Sequence, residues 1–280
     1  MKTHVLAALL AAAVPIAGCA TTASTTTSGS TAAYTAAQSE IARLTAQANE
    51  HALLKPWTGI HGGVPPWDQA NPALLPSAFE IGIALQQAEV DAIANNPAAP
   101  TFENTISAMQ QAGAHLDRAT TIFSVMSANV STPEVQALDA EWSPRLTAAY
   151  NAITFNRALF NRINTLYEQR ASLNLSPTQL RLLERTQSQY VRAGAALTPE
   201  QQARLGTINQ ELAGRFAEFS RRLLADENSA IFINNERDLA GLPQSMRDAF
   251  RAAAVERGQP NAWAVVNTRS SVDPFLTFSE

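Results

Sequence analysis

Thr198-Pro199-Glu200-Gln201 opens the stretch that decides the fold, and Leu205, Ile208, Leu212, Phe216, Phe219 and Leu223 follow it. The steps between those six are 3, 4, 4, 3 and 4 residues, so all six share one face of a helix. Thr198 suits the N-cap, Pro199 the first helical position, and Gln201 completes a capping box. Ser176-Pro177-Thr178-Gln179 repeats the signature ahead of Leu180, Leu183 and Tyr190. Ser131-Thr132-Pro133-Glu134 is a third version, ahead of Val135, Leu138 and Trp142. These starts predict helices near 133–153, 177–196 and 199–227. Pro144 falls inside the first and is expected to kink it, because it lacks an N–H and its ring crowds the preceding turn.

Working outward, Thr101-Phe102-Glu103-Asn104 opens a long helical candidate running through Ile106, Met109, Leu116, Phe123 and Met126. Pro97 and Pro100 separate it from an earlier helix at about 77–95. Further helices are predicted at 40–54, 156–171 and 244–257, the last closed by Gly258. Ala230-Ile231-Phe232-Ile233 and Trp263-Ala264-Val265-Val266 are short and rich in β-branched or aromatic residues, and are predicted to pair as a small sheet. The tail from Arg269 to Glu280 has no cap or closing signal. The fold class is therefore mainly α, with a small β element near 230–268.

Composition narrows the function. The chain has 280 residues, 20 basic against 24 acidic, a net charge of −4 and no basic run. A nucleic-acid protein normally carries a concentrated positive footprint, so that class is excluded. Apolar residues make up 46%, enough for a core. The single cysteine excludes a disulfide framework and a cysteine-based zinc site.

That cysteine has a telling position. Met1-Lys2-Thr3-His4 precedes an apolar run from Val5 to Ile16, shorter than the roughly 20 residues a membrane-spanning helix needs. Ile16-Ala17-Gly18-Cys19 then resembles a bacterial lipobox, in which the cysteine sulfur receives the lipid. Residues 1–18 are thus expected to be a lipoprotein signal peptide and Cys19 the lipid attachment site. Several acyl chains on one cysteine anchor firmly, at about 0.8 kcal/mol per buried CH₂. Ala20 stands where an Asp would retain such proteins at the inner membrane, so a periplasm-facing outer-membrane location is expected. Residues 19–38 are Thr, Ser and Ala for the most part, and are expected to be a flexible tether ahead of a domain at 39–280.

Residues able to carry chemistry are sparse. A helical zinc hydrolase needs two imidazoles one turn apart with a Glu beside them. The four histidines are His4, His51, His61 and His115, and no two of them are spaced that way. There is no Gly-x-Ser-x-Gly and no phosphate-binding glycine loop; Gly62-Gly63 has neither the spacing nor the lysine. Glu103, Glu134 and Asp139 lie near helix starts, where the helix dipole accounts for them. Arg221-Arg222 reads as a helix face. Trp57 and Trp67 bracket a Pro/Gly-rich loop that either holds peptide or straps helices together, and the strap is the favoured reading. No catalytic or metal-binding residue is assigned.

Several stretches taken together carry a resemblance. They are Pro56-Trp57 with Gly62-Gly63-Val64-Pro65-Pro66-Trp67-Asp68, then Ile93-Ala94-Asn95-Asn96-Pro97 with Pro100-Thr101-Phe102-Glu103-Asn104-Thr105-Ile106. Val191-Arg192-Ala193-Gly194-Ala195, Leu224-Ala225-Asp226-Glu227, Leu239-Ala240-Gly241-Leu242-Pro243 and Asn267-Thr268-Arg269-Ser270-Ser271 follow. From about His51 to Glu280 this order resembles the amino-terminal part of the peptidyl-dipeptidase Dcp family, relatives of oligopeptidase A and thimet oligopeptidase. The resemblance implies one lobe of a two-lobed helical zinc peptidase with a deep channel, acting on short oligopeptides and releasing carboxy-terminal dipeptides. In that family the zinc ligands are the two His of His-Glu-x-x-His and a later Glu. None has a counterpart in this sequence, so the resemblance implies a part truncated before the catalytic region, binding no zinc and inactive alone. The alternative is a non-catalytic helical lipoprotein that uses the same surface to bind peptides or a partner protein.

Overall fold

A computed structural model of the chain describes residues 22–60 and 63–280, with side chains from Gly29 onward. The signal segment, Cys19, His4 and His61 lie outside the described residues. Among those described, the architecture is mainly α with one two-stranded sheet, as the sequence predicts.

α1 (Thr22–Glu50) lies along α2 (Leu75–Ala94). α1 departs from expectation, because the presumed tether at 19–38 is helical from Thr22. The cause is alanine. It is the best helix former, and its short side chain lets two helices approach closely. Ala33, Ala36 and Ala37 face Ala84 and Ala88 of α2 across a shallow groove, and Ser30 Oγ donates to the Asn95 carbonyl over 2.9 Å. A Thr/Ser/Ala run with no large apolar period can thus still be helical, with Ala37 buried and Ala33 and Ala36 left exposed.

The expected long helix after Thr101 is broken. It begins as a π-turn, Phe102–Ser107, continues as α3 (Ala108–Gln111), and resumes as α4 (Ala114–Asn129). Gly113 makes the break at φ +89°, where a Cβ would lie 2.2 Å from the Gln86 amide nitrogen. α5 (Pro133–Thr154) follows, and Pro144 sits inside it without ending it. α6 (Arg157–Gln169), α7 (Pro177–Arg192) and α8 (Pro199–Glu227) complete the helical body. The predicted capping boxes form at Ser176/Gln179 and Thr198/Gln201, and Thr132 caps α5 through the Val135 N–H.

Two apolar clusters organise this body. In the first, Leu44 and Ala48 of α1, Phe79 and Leu85 of α2, Leu116 and Ile122 of α4 and Trp142 of α5 meet. Phe79 stands edge-on to Phe123 at 5.4 Å between ring centres and 5.0 Å from Trp142. In the second, Val90 and Ile93 of α2 meet Phe102, Ile106, Leu159, Ile163, Leu166 and Leu183.

β1 (Ala230–Ile233) pairs antiparallel with β2 (Trp263–Val266), Ala230 opposite Val266 and Ile233 opposite Trp263. α9 (Gln244–Glu256), within the connection between the two strands, covers this sheet through Phe250. The tail without a signal nevertheless forms α10 (Arg269–Phe278), because Val272 and Phe275 dock on the same small core.

The largest difference concerns the helix that opened the reading. α8 exists with the predicted bounds, but of its six-residue apolar face only Leu205 and Ile208 are half-buried, and Leu212, Phe216, Phe219 and Leu223 are exposed. Gly206 is buried against α5, and Ala213, Gly214 and Ala217 are half-buried. α5 and α8 run antiparallel, with Gly206 near Phe155 and Gly214 near Pro144. Small residues let the two backbones approach, and Asn209 Nδ2 donates to Asn151 Oδ1 over 2.9 Å. From Leu212 onward the large side chains of the stripe turn outward.

Candidate functional site

A concavity lies beside the Gly113 turn, where α2, α3, α5, α6 and α7 meet. It is a cavity of about 250 Å³ lined by Gln86, Met109, Tyr150, Leu159 and Tyr190 among others. Gln86 Oε1 is buried there without a hydrogen-bond partner. Burial pushes the Tyr190 phenol up to about 12, so it stays protonated at neutral pH. On the other side of the turn Glu89 accepts the Gly113 N–H over 2.7 Å. Burial, and then the Asp117 charge, raise the Glu89 carboxyl above its ordinary range, against that hydrogen bond. Burial likewise raises Asp117, with the neighbouring Arg118 charge opposing it. The arrangement offers a hydrogen-bond acceptor and phenol donors in an apolar recess. It contains no nucleophile paired with a base.

The two described histidines, His51 and His115, sit in structural settings. His51 Nδ1 accepts the Leu53 N–H over 3.2 Å, which leaves its Nε2, 3.0 Å from Ser77 Oγ, as the protonated nitrogen of the neutral ring. Burial lowers the His51 pKa, keeping it in that neutral form. His115 is held below the usual range by burial and by Arg118. Among the described residues no group of three or more His, Cys, Asp or Glu is placed to hold a metal ion. The described residues do not fit a zinc centre.

The other residues singled out in the sequence fall into place. Glu103 and Glu134 sit in the first turns of their helices, and Asp139 accepts from Ser143 Oγ over 2.8 Å. Arg221 and Arg222 both reach Glu218 on their own helix. Trp57 packs against the first apolar cluster while Thr58 bridges Val64, so this end of the loop is a strap.

One residue escaped the sequence reading. Arg162 of α6 is only 7% exposed and, among the described residues, has no ion-pair partner. Its Nη1 donates to the carbonyls of Asn96 and Ala98, both over 3.0 Å, its Nη2 to Asn104 Oδ1 over 2.8 Å and its Nε to Thr105 Oγ1 over 3.3 Å. The guanidinium fork thus staples the segment from Asn96 to Thr105, within the longest stretch of the resemblance. The signal was a cation amid the apolar positions Leu159, Ile163 and Leu166. Among the described residues no helix is long and apolar enough to cross a membrane.

No protein-family model matches the chain. Among curated proteins it is 37% identical over 214 residues to a dipeptidyl carboxypeptidase of Salmonella typhimurium, which covers 76% of this chain and 31% of that protein. It is 36% identical over 200 residues to the dipeptidyl carboxypeptidase of Escherichia coli, covering 71% and 29%. To an oligopeptidase A of Haemophilus influenzae it is 25% identical over 197 residues, covering 70% and 29%. The chain spans about a third of the length of the curated relatives it matches.

Proposed function

The chain is a relative of the dipeptidyl carboxypeptidases and oligopeptidase A, and from that premise we propose that it forms a helical, non-catalytic part of a peptidase that removes dipeptides from the carboxyl end of short peptides. The observation that carries this reading is the 37% identity to the Salmonella enzyme across 76% of the chain. Zinc, in this reading, is bound by residues outside the matched stretch. The absence of any His-Glu-x-x-His in the sequence supports that location. Cys19 carries lipid and holds the protein on the periplasmic side of the outer membrane.

Two experiments test this. The purified chain with added zinc is expected to release no dipeptide from an unblocked oligopeptide; chelator-sensitive release would place catalysis within these residues. Grafted in place of the matched stretch of the Salmonella enzyme, the chain is expected to support dipeptide release. A folded but inert graft would favour the second reading, a helical lipoprotein that binds peptides or a partner. For the anchor, Cys19→Ser is expected to move the protein from the membrane to the soluble fraction; unchanged membrane attachment would contradict it.

A further inference from the structure

Leu212, Phe216, Phe219 and Leu223 are 44%, 67%, 62% and 46% exposed on the outward face of α8. Scattered apolar residues on a surface need no explanation, but four large ones in a row along three turns mark an interaction site. Their spacing of 4, 3 and 4 residues is that of knobs that seat between the side chains of a helix lying nearly parallel or antiparallel. The face of α8 that packs on α5, through Gly206 and Asn209, lies beside this stripe and does not include it. The stripe is therefore additional to what holds α8 in place.

Charge and length point to the occupant. α8 carries five acids and four bases, and Arg221 and Arg222 are engaged with Glu218. A helix made for an anionic lipid surface has a basic polar face instead. The matched stretch makes up 31% of the Salmonella relative, so most of such a protein lies outside it and has to pack against something. We propose that the stripe is the docking face for an apolar helix belonging to that larger remainder of a relative-length polypeptide. The proposal rests on the peptidase kinship above and adds to it where the two parts meet.

The test places a thiol probe in the stripe. Phe219→Cys, with Cys19→Ser, is labelled by a maleimide in the full chain and in the graft into the Salmonella enzyme, and modification at position 219 is read by peptide mass spectrometry. Thr207→Cys, also exposed, serves as control. Labelling at 219 is expected to be fast in the chain alone and about tenfold or more slower in the monomeric graft, with 207 unchanged. Equal rates at 219 would overturn the proposal. So would protection confined to a dimer of the chain, or to anionic vesicles, since these make a second copy or a membrane the occupant. A second reading needs no cysteine: the pair F216S/F219S is expected to leave the melting temperature of the chain unchanged and to lower that of the graft. An equal effect in both contradicts the proposal. Dipeptide release is scored separately. Protection without release keeps the docking face and removes the peptidase reading; release without protection does the reverse.

Discussion

The junction around Phe79 and the outer half of α8 are built from similar residues and end in opposite states. Phe79, Leu85, Ile122 and Trp142 are at most 1% exposed, whereas Phe216 and Phe219 of α8 are more than half exposed. Both regions show apolar residues at helical spacing. At the junction several helices converge, and Gly82 lets α4 approach until a Cβ would lie 3.0 Å from the Leu116 Cα. Along α8 small residues such as Gly206 and the half-buried Leu205 and Ile208 near its start find neighbours, and Leu212, Phe216, Phe219 and Leu223 are left outside. Hydrophobic periodicity identifies a face that wants covering; which molecule covers it depends on what else is present.

That contrast can be broken or sharpened by substitution. Phe79→Ala is expected to cost about 3–5 kcal/mol in urea unfolding, because it opens a cavity where Phe123 and Trp142 meet. A loss under about 1 kcal/mol would mean the junction is not the stabilising centre. Arg162→Met is expected to cost about 2–4 kcal/mol, since it orphans the Asn96 and Ala98 carbonyls, and Arg162→Lys to recover only part of it. Gly113→Ala is expected to cost about 1–3 kcal/mol, from the positive φ and the crowding on Gln86. By contrast, F216S/F219S in the chain alone is expected to stay within about 0.5 kcal/mol of the parent.

A pH series adds a finer probe. Burial raises the Glu89 pKa from 4.5, so the folded state prefers its neutral form. That contribution is complete below pH 4.5 and lost as pH rises through the higher folded value. Glu89→Gln keeps an acceptor for the Gly113 N–H and is expected to flatten this fall in melting temperature; an unchanged slope would contradict it. His51 and His115 work in the opposite sense. Their lowered pKa values make stability fall as pH drops below 6.5.

Local chemistry was legible in the sequence. The Ser176 and Thr198 capping boxes and the two strands follow from neighbours in the chain. The alanine-rich start of α1 was not legible as helix, because its packing on α2 needs no large side chain. Nor was α10, which forms on a core assembled from Ile233, Leu242 and Phe250. The resemblance was visible in motifs such as Asn95-Asn96-Pro97, but what pins this segment was not. Arg162, 57 to 66 residues distant along the chain, holds the carbonyls of Asn96 and Ala98 and the side chains of Asn104 and Thr105.

The outward stripe is the centre of this account, and thiol accessibility on the two faces of α8 tests it most directly. With Cys19→Ser, cysteines placed at Phe219 and at the buried Gly206 are labelled in the folded chain. The expected result is rapid labelling at 219, near the rate in denaturant, and slow labelling at 206. Slow labelling at 219 with rapid labelling at 206 would mean that the large side chains, and not the small ones, pack on α5.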